Sequence, residues 1–158
     1  MSTRAQTLAE QFEQVNATVI STVEACNDTT WHAATRDERW PVGVAAWHIG
    51  DSHTTIMGLA SAVAEGQPVP PVTVAMLDAQ NADNAARHGS CSRQEVLNLL
   101  RQNGTTVADT IRRLPDEQLD RSATIELFGG QSMNVQQLIE LVLFGHAQQH
   151  LASIQAAV

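Results

Sequence analysis

The sequence predicts an all-α protein, a four-helix bundle with one long crossover connection. Three observations carry that prediction. Long segments space their apolar residues in alternating steps of three and four, the period of one helix face. Clusters of proline and glycine punctuate those segments. No alternation of strand and helix patterns supports a parallel sheet. The chain has 158 residues, 43% apolar and 16% charged, enough to bury a sizeable core and too weakly charged for a disordered chain. One domain over residues 1–158 is expected.

The first helix is expected over residues 3–26, where Leu8, Phe12, Val15, Val19 and Val23 form one stripe. Gln11, Glu13, Gln14 and Asn16 fill the opposite, polar face. Residues 27–30 break the pattern, and 31–39 read as a loop or short helical turn before the turn Trp40-Pro41-Val42-Gly43. A second helix is expected over 44–65, closed by Gly66, with the seam Ala45, His48, Ser52, Ile56, Leu59, Val63. Pro68, Pro70 and Pro71 forbid helix in the next stretch, because each removes a donor and restrains its predecessor. Residues 72–88 have weak periodicity and read as a partly exposed helix on the crossover. Ser92-Arg93-Gln94-Glu95 is a capping box opening a helix whose seam is Leu97, Leu100, Gly104, Val107, Ile111 and Leu114, stopped by Pro115. Residues 122–128 with Gly129-Gly130 suit a short strand or hairpin. A cap at Asn134 opens the last helix, to about 156, with the seam Val135, Ile139, Val142 or Leu143, His146, His150 and Ile154.

Composition removes whole classes of function. Seventeen acids against nine bases give a formal charge of −8, which disfavours a nucleic-acid binder, whose footprint is a basic patch. All nine bases are Arg, so a Schiff-base lysine and a Walker-type phosphate loop are both excluded. Cys26 and Cys91 have neither metal-type spacing nor a disulfide framework, and read as structural. No apolar run approaches membrane-spanning length and the N-terminus is not a signal peptide, so a cytoplasmic protein without a membrane partner is expected.

The chemistry lies in the histidines. His146 and His150 are four residues apart, which on a helix puts both rings on one face about 5–6 Å apart at Cβ. They sit in the inward seam of the most apolar part of the chain, where polar groups need partners. His48 holds the matching inward position of the second helix. His53, five residues on, is rotated about 140° away and is expected on a neighbouring face or a subunit contact. Three inward imidazoles on two helices are the donor set of a metal site with an open coordination position. Asp51, one turn from His48, suits a role orienting that residue or acting as a base, though a solvated or capping carboxylate is the more ordinary reading. Gln149 is either pocket-lining or a surface amide, and Glu140 is too far along the helix to take part. His32 and His88 fall in polar contexts and read as solvated. Trp31, Trp40 and Trp47 read as core or interface anchors.

His48 within Trp47-His48-Ile49-Gly50-Asp51-Ser52-His53, followed near the C-terminus by His146 and His150, resembles the DinB/YfiT-like superfamily of metalloenzymes. The Pro-rich crossover, the Ser-x-x-Glu helix start and Pro115-Asp116-Glu117-Gln118-Leu119 extend that resemblance over nearly the whole chain. It implies an up-down-down-up bundle, a homodimer, and a divalent metal held by His48, His146 and His150. It also implies either a thiol-dependent S-transferase, with a low-molecular-weight thiol as co-substrate, or a hydrolase acting on a small molecule. Zn or Ni leads among the ions that suit three imidazoles. A non-catalytic dimeric bundle that binds a metal or a small ligand is the alternative. With ordinary histidine pKa values, protons are expected to displace the metal near pH 5.

Overall fold

The computed structural model describes residues 2–158. In chain order it contains α1 (Thr3–Ala25), α2 (Asp28–Trp31), α3 (Val42–Glu65), α4 (Val74–Arg87), α5 (Arg93–Arg112), α6 (Asp116–Leu119), β1 (Ser122–Ile125), β2 (Gln131–Asn134), α7 (Val135–Gln137) and α8 (Gly145–Gln155). A π-helical stretch, Leu138–Phe144, joins α7 to α8 without a break, so the three form one C-terminal helix. The expected helix ends hold to within a few residues. Ser2 caps α1 by accepting from Ala5 N, and Ser92 with Glu95 forms the predicted capping box of α5. Gly66 closes α3 in the left-handed region at φ 72°.

Four long helices pack around two hydrophobic clusters, in the spatial order α1, α5, α3 and the C-terminal helix. Their directions follow from which residues touch. Arg112 reaches Glu13 and Arg101 reaches Glu24, so α1 and α5 are antiparallel. Asn103 bonds to Gly50 O and Arg121 to Ala64 O, so α5 runs with α3. Arg4 bonds to Gln136 and Phe12 stacks on Phe144, so the last helix runs with α1. The result is up-down-down-up. Because α3 and α5 are parallel, the chain must return the length of the bundle between them, and α4 with its proline-rich approach makes that return. None of the residues of α4 is buried, as expected of a helix on a crossover. The strands β1 and β2 pair antiparallel from Ser122↔Asn134 to Ile125↔Gln131, making the predicted hairpin at one end of the bundle.

Apolar burial follows the predicted seams: Leu8, Phe12, Val19 and Val23 on α1, Leu97 to Ile111 on α5, and Ile139, Leu143 and Ile154 on the last helix. On α3, Met57 and Ala60 are buried rather than the expected Ile56 and Leu59, which are half-buried, and one polar position also differs from expectation. Asn16, placed on the polar face of α1 by its neighbours, is buried, and its amide donates to Leu100 O at 3.0 Å. His53 does lie on a neighbouring face of α3, turned away from His48, and that face is buried in the core. It is 1% exposed, 2.9 Å from Asn16 Oδ1 at Nε2, and edge-on to Phe12. The reason is that α3 is buried on more than one side, between α5 and the C-terminal helix. Small residues let α3 and its neighbours come close. A Cβ added at Gly43 would lie 2.6 Å from the Trp31 ring, and one at Gly104 of α5 would lie 2.1 Å from Asn16 Nδ2.

Candidate metal centre

His48 enters the site from α3, and His146 and His150 from α8. One ligand nitrogen from each of the three lies within 4.8 Å of the others. His48 Nε2 and His146 Nε2 are 3.0 Å apart, and the three ring centroids are separated by 4.4 to 4.8 Å. Two imidazole nitrogens bound to one ion at about 2.0–2.1 Å would stand roughly 3.0–3.4 Å apart, so the observed spacing fits a shared ion. His146 Nδ1 is buried with no hydrogen-bond partner, an unusual state for a core polar atom. These donors suit Zn, Ni, Cu or Fe over the hard, oxygen-seeking ions.

The rings are poised to bind. Burial holds the pKa of His48 down to about 4, with the neighbouring His150 adding to the effect. Burial, then His150 and His48, lowers that of His146 to about 2. Both are therefore neutral, with lone pairs available, well below neutral pH. The expectation of metal loss near pH 5 rested on ordinary histidine values, and desolvation moves these two ligands away from them.

The shape of the last helix brings its two histidines into line. From Val135 to Ile154 the seam takes mostly steps of four, and in an ideal α-helix that stripe drifts around the axis. The π-helical stretch widens the turns just before His146, keeping Ile139 and Leu143 in the core while His146 and His150 face α3. The sequence signal was the doubled seam position at Val142 and Leu143, which marks where the period slips.

Glu38 escaped the sequence reading. It lies in the loop between α2 and α3, and its Oε1 is 2.5 Å from His150 Nδ1 while its Oε2 accepts from Ser153 Oγ at 2.6 Å. Ser153 Oγ in turn accepts from Asp37 N. This chain of bonds fixes the His150 ring and leaves its Nε2 for an ion, the usual support for a ligating imidazole. Burial opposes ionisation of Glu38, yet hydrogen bonds from Ser153 and from its own backbone hold its pKa below the usual carboxylate value. The loop is shaped by Thr35 N bonding to Trp40 O, by Val42 N bonding to Ala33 O, and by Arg39 in the left-handed region at φ 62°. A non-glycine residue there is strained. It turns the chain so that Glu38 and Trp40 both face the histidines. In sequence, Asp37-Glu38-Arg39 looks like any solvated charged loop.

Trp40 packs edge-on to His48 at 5.4 Å and parallel to His150 at 6.4 Å between centroids. It is an anchor that braces two of the histidines. Trp31 is buried and donates to Cys91 O, whereas Trp47 stacks on His88 at 3.6 Å, so His88 is not simply solvated. Asp51 lines the cavity in front of the site and makes no hydrogen bond to His48. Gln149 is an exposed surface amide, and Glu140 is exposed and accepts from Gln136. Cys26 is buried, and burial pushes the Cys91 thiol up, away from reactivity.

The three imidazoles stand at the wall of a cavity of about 590 Å³ between α3, the proline-rich crossover, α4, the hairpin tip and the last helix. Its size is that of sites for small molecules. A four-helix bundle with inward histidines from facing helices, open on one side to such a cavity, defines a class of metal-site bundles. The chain belongs to the DinB superfamily, whose family model matches residues 11–154. Among solved structures it is similar to YfiT from Bacillus subtilis, described as a probable metal-dependent hydrolase with an unusual four-helix bundle topology. The two share 19% sequence identity and a TM-score of 0.75 over 99% of this chain and 87% of that one. A comparison with curated proteins finds no match. No helix of the described residues is long and apolar enough to cross a membrane.

Proposed function

We propose that this protein is a metal-dependent hydrolase of a small molecule, with one divalent ion, Zn or Ni, held by His48, His146 and His150. The observation that carries the reading is the convergence of three imidazoles, two held neutral by burial, at the wall of a cavity large enough for a substrate. An ion with three protein ligands keeps a position open, where it can acidify water and polarise a carbonyl. Glu38 fixes His150 through Nδ1, and Trp40 restricts the tilt of His48 and His150. Asp51, half-buried on the cavity wall one turn from His48, is the group proposed to accept a proton from a reacting water. The hydrolase description of YfiT agrees with this reading.

Transfer to a low-molecular-weight thiol is the competing chemistry for the same donor set, since an ion can equally ionise a thiol. Metal analysis of protein purified without an affinity tag is the first test. One ion per chain, lost in His48→Ala and in His150→Ala, supports the centre, and its absence after Zn or Ni reconstitution overturns it. Metal-loaded protein is then assayed against a panel of esters and amides, and separately for conjugation of glutathione, mycothiol and bacillithiol. Conjugation without hydrolysis would replace the hydrolase by the transferase.

A further inference from the structure

The cavity in front of the histidines has a one-sided composition. Ile56, Leu59, Val69, Leu127, Phe128 and Val142 all line it, all are only half-buried, and all rest on the larger of the two core clusters. Apolar side chains of a core that stay open toward one shared cavity mark a surface that a ligand covers. The polar groups on the walls are mainly uncharged: Ser52 and Thr55 on α3, and the amides of Gln80, Asn81 and Asn84 on α4. Apart from the histidines, the ionisable groups among the lining residues are Asp51 and Glu126, both acidic. None of the nine arginines lines the cavity, and the chain has no lysine.

This pattern separates substrate classes. A carboxylate, phosphate or sulfonate carried on the body of a substrate would leave water for an apolar wall with no cation to meet it, and would face two carboxylates. Proteins that recognise such anions supply an Arg fork or backbone amides for them. An ammonium would find acidic groups, but only at the exposed Glu126 and at Asp51, one turn from His48, so a cation along the apolar wall would remain unpaired. An uncharged chain incurs neither cost.

We infer that the cavity takes an uncharged substrate whose apolar chain lies along Ile56, Leu59, Phe128 and Val142 and whose single polar group turns to the histidines. The amides of α4 give such a molecule hydrogen bonds without demanding a charge. The inference rests on the hydrolase reading for the polar group's fate, and on the cavity alone for the character of the chain. A neutral ester or amide of a medium-length acyl chain is the class that satisfies both.

The test uses three probes with one head and different tails: octanamide, the same amide with a carboxylate at the far end of the chain, and the same amide with an amine there. Dissociation constants are measured by calorimetry on metal-loaded protein and on the same preparation after chelation. Octanamide should bind at least tenfold more tightly than either charged probe in both states. Gln80→Arg, on an exposed position of α4 that lines the cavity, should strengthen binding of the carboxylate probe at least fivefold. The inference is overturned if either charged probe binds as tightly as octanamide, if octanamide does not bind at millimolar concentration, or if Gln80→Arg leaves the carboxylate probe unchanged. The hydrolase reading fails separately. Octanamide that binds with the stated preference, while neutral octanoyl esters are left intact by the metal-loaded protein, would retain the substrate class and remove the reaction.

Discussion

Glu38 offers the sharpest test of how the centre is built, because it touches one of the proposed ligands without being one. Its carboxylate meets His150 Nδ1 at 2.5 Å, and both side chains are largely buried, at 10% and 12% exposure. Partners of this kind are worth about 10–100-fold in metal affinity. Glu38→Gln keeps the shape and an acceptor oxygen but removes the charge, so a loss near tenfold is expected. Glu38→Ala frees the ring altogether and should approach a hundredfold. At a fixed, saturating metal concentration, linkage converts these losses into about 1.4 and 2.7 kcal/mol of missing stabilisation. For a domain of this length each kcal/mol moves Tm by about 2–4 °C, so the metal-induced rise should shrink by roughly 3–5 °C in Gln and 5–10 °C in Ala. The assay is scanning calorimetry at pH 7.5 with and without Zn. The comparison is of the metal-induced increments, because Glu38→Ala also strips Ser153 of its acceptor and lowers Tm without metal. An Ala variant whose increment equals that of the wild type would refute the reasoning that His150 is held for the ion by Glu38.

The remaining predictions address the core, the pH response and the assembly. His53→Ala should cost about 2–4 kcal/mol in urea unfolding, since it opens a cavity beside Phe12 and removes the partner of Asn16 Oδ1. It should leave the Zn-induced rise in Tm unchanged, whereas His48→Ala should abolish that rise; the reverse pattern would mean the ligand set is wrongly drawn. Gly104→Ala, with a Cβ 2.1 Å from the Asn16 amide, should destabilise by roughly 1–3 kcal/mol despite the better helix propensity of Ala, and urea melts giving a more stable variant would contradict the packing. Burial lowers the pKa of His53 to about 4 in the folded protein against about 6.5 unfolded. The unfolded chain then takes up the proton first, so metal-free stability should be full above pH 6.5 and decline as pH falls toward 4, with Tm measured across that range as the check. Because His48 is held neutral in the same way, some Zn-induced rise in Tm should survive at pH 5. We propose a homodimer as well; light scattering should give about twice 17.1 kDa at micromolar concentration, and a monomer mass would exclude it.

The helices and their order were legible in the chain itself. A three-four seam, the capping box at Ser92, the glycine stop at Gly66 and the prolines at 68, 70 and 71 are local physics, written in a few consecutive residues. The candidacy of His48, His146 and His150 was legible for the same reason, because four-residue spacing and an inward seam are helix properties. Tertiary packing decided the rest. Which residues of α3 count as buried depends on how many neighbours that helix has, so His53 and Asn16 meet in the core although the seam pattern of each helix puts them off the apolar stripe. The π-helical widening before His146 depends on keeping contact with α3, and in the chain it showed only as an unresolved choice of seam position between Val142 and Leu143. Glu38 reaches His150 across 112 positions, held there by a strained Arg39 and by Ser153 on a different element. Such a contact is a property of the folded surface, since the free energy that selects it comes from desolvating and pairing groups that are far apart in the chain.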